Sequence, residues 1–228
     1  MSFTKITFSQ IFEAQSNIFD ESLEKNDLTE ILNLINSTIY IQEKIIEKDT
    51  ELEPLMNEIV SDVISVVSTS LQGHYRLSVS GLRNILEISC SAIFYFDHKI
   101  EYLLYRDHDY KADKYVSTLI NEYHFFKTSY IKTFYSNIIT KERGLDSCSS
   151  YINKTYAKLC DVVHGRYLTL TRAQELKIKY DQSQFSKFMS MLEYTLGALF
   201  IMYILRFNDF ENSNIMNIVK KTNTLKDE

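Results

Sequence analysis

Glycine and proline are nearly missing from this chain, which has 5 and 1 of them among 228 residues. Folds built from strands draw on Gly for positive φ and on Pro for a preset φ at each tight turn. A sandwich or barrel of this length is therefore excluded, and the expectation is an all-α protein. The glycines Gly73, Gly81, Gly144, Gly165 and Gly197 are also scattered. A phosphate cradle, a dinucleotide fingerprint or a nucleophile elbow each needs glycines close together, so none of these is indicated.

Helical periodicity supports the same conclusion. Leu28, Leu32, Ile35, Ile39 and Ile46 form one stripe, with Asp27 placed to cap its start. Pro54 falls in the break that follows and suits the first turn of the next helix. Val60, Val63, Ile64, Val67 and Leu71 form a second stripe, and Leu82, Ile85, Leu86, Ile93 and Phe96 a third. A long aromatic stripe runs through Leu119, Tyr123, Phe126, Tyr130 and Phe134. Ile152, Tyr156, Leu159 and Val163 predict a helix ending at Gly165, which suits a left-handed cap. Met189, Leu192, Leu196, Leu199 and Tyr203 mark the last, and the tail from Asn212 reads as polar and frayed. Without a linker-like stretch, residues 1–228 read as one bundle of about six or more helices. The segment 167–179 stays open between loop, strand pair and helix.

The uncharged run Tyr194–Leu205 is 12 residues long, against about 20 for a membrane span, and reads as a buried helix rather than an anchor. The start of the chain, with Glu13 early and no apolar core, does not read as a signal peptide. Cys90, Cys148 and Cys160 form no CxxC pair, which suits thiols in a reducing cytoplasm and predicts neither a disulfide framework nor a zinc site. Charge is uneven. Residues 1–60 carry 4 Lys+Arg against 12 Asp+Glu, net −8, while the rest is net +3. An acidic N-terminal part argues against nonspecific duplex DNA binding and suits a basic protein partner.

Two segments carry candidate chemistry. In the first, Arg76, Ser80, Arg83 and Glu87 fall within about 60° on one helix face, opposite the apolar residues. Two guanidiniums there could hold phosphate in bidentate fashion, with Glu87 fixing the Arg83 fork. An exposed i,i+4 ion pair is the plainer reading. In the second, Asp161 precedes His164 by one turn at a helix end, with Arg166 and Tyr167 just beyond. A carboxylate and a helix C-terminus both favour protonated imidazole, which suits acid–base work; a His that merely caps the helix is the alternative. Asp161, His164 and His74 could in principle supply three metal ligands, but only the first two have useful spacing, which is frequent by chance, so no metal or other cofactor is expected. The 16 tyrosines and 14 phenylalanines could stack bases, but they fall mostly on core stripes.

Taken together, Arg83-x-x-x-Glu87 and the later Leu-Cys-Asp-x-Val-His-Gly helix end resemble the HEPN-like bacterial proteins over roughly residues 70–170. That resemblance implies a small helical bundle, often dimeric, working in phage defence or toxin–antitoxin systems. It also implies metal-independent RNA cleavage. His164 would move the 2′-hydroxyl proton, Arg83 would clamp the phosphate, and Glu87 and Asp161 would orient them. Arg76, Lys158, Arg166 and Tyr167 would contact RNA. The chain departs from the family's close Arg–His spacing: Lys158, not Arg, precedes His164, and Arg143 is 21 positions upstream. The competing expectation is a non-catalytic sensor, immunity or regulatory protein that binds a protein partner such as an antitoxin.

Overall fold

The computed structural model describes residues 4–108, 116–135, 148–164 and 178–222. Among the described residues all regular structure is helical, and no strand is present. Helix α1 spans Lys5–Lys25 and opens with a reciprocal cap between Thr4 and Thr7. Helix α2, Thr29–Lys48, starts one residue later than the sequence suggests. Leu28 takes the N-cap position, while Asp27 accepts from the backbone N–H and the hydroxyl of Thr29. A 3₁₀ turn, Thr50–Leu52, leads into α3, Glu53–Leu71, with Pro54 in its first turn as expected. Gly73, at φ +82°, reverses the chain into α4, Tyr75–Asp97. Then come α5 (Lys99–His108), α6 (Val116–Glu122), α7 (Thr128–Phe134) and α8 (Cys148–Val163). A long core helix, Gln182–Phe207, and a short C-terminal helix, Ser213–Lys221, follow.

Helix α4 is the organising element. It packs against α3, the core helix and α8, and α2 fills in against α3 and the core helix. The α3–α4 crossing is close because position 81 has no side chain. A Cβ on Gly81 would lie 2.5 Å from Val66 Cγ1. Gly197 plays the same part for the core helix, where a Cβ would meet Thr222 Oγ1 at 2.8 Å and the Tyr151 hydroxyl at 3.2 Å. Every residue from Thr195 to Leu205 is buried, which explains the uncharged run. The core helix is long and apolar enough to cross a membrane by length and composition, and 72% of its most apolar window is packed inside the protein.

Three expectations are corrected. On α2 the buried face is Ile31, Leu34, Thr38, Ile41 and Ile45, whereas Leu32 is exposed. Isoleucines occupy so wide an arc of α2 that packing partners, not periodicity, choose its inner face. The aromatic stripe is not one helix. It breaks at Tyr123 and Lys127, both extended, around a 3₁₀ turn, His124–Phe126. That turn buries Phe125 and Phe126 together, and the run of aromatic and His residues has little helix propensity to resist it. The tail does not fray at Asn212. Its side chain accepts from Ile215 N–H and starts a helix that buries Ile215 and Val219. Gly165, and all of the open segment except residues 178–179, lie outside the described residues.

Candidate functional site

The polar face expected on α4 meets α8. Arg83 Nε donates to Glu87 Oε1 at 2.9 Å, the i,i+4 pair anticipated from spacing. Arg83 Nη2 reaches across to the Tyr156 hydroxyl of α8 at 3.0 Å, and that hydroxyl donates to the same Glu87 oxygen at 2.9 Å. The guanidinium carbon also lies 5.3 Å from the Tyr156 ring centroid. Three side chains from two helices thus close a triangle at the α4–α8 seam.

Burial and the bond given to Glu87 push the Tyr156 phenol up to about 12, against the opposing pull of Arg83. For Arg83, burial works against the charge, but the hydrogen bond and charge of Glu87 win and raise its pKa above the ordinary value. The side chains of Arg83 and Glu87 keep 27% and 32% exposure, so the triangle is reachable from solvent. Glu87 Oε2 and Arg83 Nη1 make no hydrogen bond to another described residue. A guanidinium so held presents an outward edge suited to a phosphate oxygen.

The other expected site residues are placed differently. His164 is exposed in the turn that ends α8, its backbone N–H bonded to the Cys160 carbonyl at 2.9 Å. Eight residues separate it from Tyr156, a rise of about 12 Å along the helix. Asp161 is half-buried one turn before it. Lys158 stands about 160° round α8 from Tyr156. Its ammonium lies 4.9 Å from the Tyr194 ring centroid, on the side of the core helix. Arg76 is exposed two turns upstream of Arg83, and its carbonyl accepts from Ser80 Oγ at 2.9 Å. Arg166 and Tyr167 lie outside the described residues. His74 is tied to α1 through Gln15, Nε2 to Nε2 at 2.7 Å. No group of three or more His, Cys, Asp or Glu side chains converges among the described residues.

The structure therefore joins Arg83 to Glu87 and adds Tyr156. It does not bring His164, Asp161, Lys158 or Arg76 into that cluster. Tyr156 reads from sequence as one more core residue of the α8 stripe. The described residues define an α-helical bundle with a half-exposed Arg–Glu–Tyr triangle at one seam. Comparison with family models, curated proteins and solved structures finds no match.

Proposed function

We propose that the chain is a HEPN-like, metal-independent endoribonuclease of phage defence or a toxin–antitoxin system, working in the cytoplasm as a homodimer. One observation carries this reading: Arg83 is seated directly on α8, the helix that ends in His164. The two candidate segments, 73 positions apart at the Arg83–Tyr156 bond, thereby share one seam. Arg83 offers its outward edge to a phosphate, and Glu87 and Tyr156 orient it. His164, further along α8 and oriented by Asp161, moves the 2′-hydroxyl proton. An RNA strand laid along α8 spans both groups, with Arg76 upstream on α4; the contacts expected of Lys158, Arg166 and Tyr167 are not part of this arrangement.

The test is cleavage of total RNA by purified protein in excess EDTA, beside His164→Ala and Arg83→Ala. Fragments ending in cyclic phosphate, lost in both folded variants, are expected. Equal cleavage by all three proteins overturns the assignment of the site, and intact RNA with the wild type overturns the ribonuclease.

A second reading has its own observation. Arg83 already satisfies Glu87 and Tyr156, and about 12 Å of helix rise separates Tyr156 from His164. A structural triangle in a non-catalytic regulatory protein fits this equally, with the acidic residues 1–60 as the surface for a basic protein. Stable capture of such a partner without RNA turnover supports it.

A further inference from the structure

Helix α1 is held to the body along one narrow line. Only Ile18 and Ser22 of its side chains are buried. Gln15 reaches His74, and Ile18 lies beside Gly73. About 90° round from that line runs a second stripe of Phe8, Phe12, Phe19 and Leu23. Phe8, Phe12 and Leu23 are 65%, 73% and 40% exposed, whereas Phe19 leans on the core. Exposed phenylalanines on a helix face are unusual for a surface that stays in water.

The order of residues on the stripe says what covers it. A two-fold axis set between Gln15 and Ser16 places Phe12 against Phe19 of a second copy and Phe8 against Leu23. It also places Lys5 against Asn26. The apolar stripe is thus its own complement when two α1 helices run antiparallel, as an isologous contact requires. Charge agrees. Lys5 is exposed at one end, and across from it come the C-terminal carbonyls of α1 and the exposed carboxylate of Asp27. The exposed residue at the crossing point is Ser16, small enough for two helices to approach.

We infer that the exposed face of α1 is a homodimer interface, formed by antiparallel pairing of two α1 helices about a two-fold axis between Gln15 and Ser16. The contact lies apart from the α4–α8 seam and stands whether or not the chain cleaves RNA.

Sedimentation of the full chain over a concentration series reads the association directly. A wild-type dimer is expected at micromolar concentration, and Phe12→Asp weakens it at least 100-fold while the helical circular dichroism is unchanged. Ile6→Asp alters a residue 71% exposed but off the stripe, and leaves the dimer intact. The register has its own readout. Under mild oxidation Ser16→Cys cross-links to dimer above the wild-type background, because the two positions nearly meet at the axis. Phe8→Cys does not, because its two copies stand about 22 Å apart along the helices. A monomeric wild type, or equal cross-linking by both cysteine variants, overturns the proposal. So does a monomer that floats with anionic vesicles, which assigns the stripe to a lipid surface.

Discussion

Among the described residues an arginine, a carboxylate and a tyrosine meet at two places, each time with the carboxylate on α4. At the α8 seam they are Arg83, Glu87 and Tyr156. At the other end of α4, Arg206 of the core helix bonds Asp97 Oδ1, its Nε at 2.9 Å, and Tyr123 donates to Oδ2. The side chains of Arg206 and Asp97 are 29% and 24% exposed, much like the first pair, so exposure does not tell the two apart. Saturation does. Around Asp97 both carboxylate oxygens are used, and Arg206 lies against the Phe96 and Phe207 rings at 4.8 and 5.7 Å. Around Glu87 both donors share Oε1 and Oε2 is left over. Each arginine leaves its Nη1 without a described partner, so the difference lies in the carboxylate and in the two phenylalanine rings that cover Arg206. The first arrangement is a fastener between α4, the core helix and the start of the 3₁₀ turn; the second keeps capacity for a ligand. Similar chemistry becomes structure or candidate site according to how much of its carboxylate the fold consumes and what covers its arginine.

The contrast predicts opposite phenotypes. On the proposed function, Arg83→Ala should lower RNA cleavage roughly 100-fold or more, the usual cost of losing a donor to developing phosphate charge. Its unfolding midpoint in urea should move little. Arg206→Ala should do the reverse, costing about 2–3 kcal/mol because it strands Asp97 and two aromatic faces. It should leave cleavage by the folded fraction intact. Tyr123→Phe removes the donor to Asp97 Oδ2 and should cost about 1–2 kcal/mol, seen as a lower melting temperature. Tyr156→Phe should cost about 1 kcal/mol or less, because Arg83 still serves Glu87.

The smallest effect is an alkaline one. The Tyr156 phenol is raised from 10.0 to about 12, so the neutral form is favoured in the folded state. Its contribution is fully present below about pH 10, the unfolded value, and is lost as pH rises through the folded value. Urea midpoints measured between pH 9 and 12 should fall less steeply in Tyr156→Phe than in the wild type. Parallel slopes would mean that the phenol is neither buried nor held by Glu87 in solution.

Much of the fold is legible residue by residue. The scarcity of Gly and Pro fixed the all-α class, Pro54 marked the start of α3, and the uncharged run from Tyr194 marked the centre of the core helix. Less was legible where apolar residues encircle a helix. On α2 the isoleucines permit several inner faces, and the choice fell to α3 and the core helix. The helix after Asn212 is not legible, because Ile215 and Val219 are too few to stand out against their polar neighbours. In the site, the Arg83–Glu87 pair follows from a four-residue spacing that any helix enforces. Tyr156 could not follow, because a contact between residues so far apart in sequence carries no periodic signal.

By itself, then, the sequence determined what local geometry dictates: helices, their approximate ends, and the pair on α4. The tertiary structure decided which of several apolar arcs turned inward, that the aromatic run after Leu119 would break to bury Phe125 and Phe126, and that Arg83 would meet Tyr156. The reason is one of range. Hydrogen bonds within a helix join residues four apart, whereas packing joins whichever surfaces fit once Gly81 and Gly197 allow the helices to close.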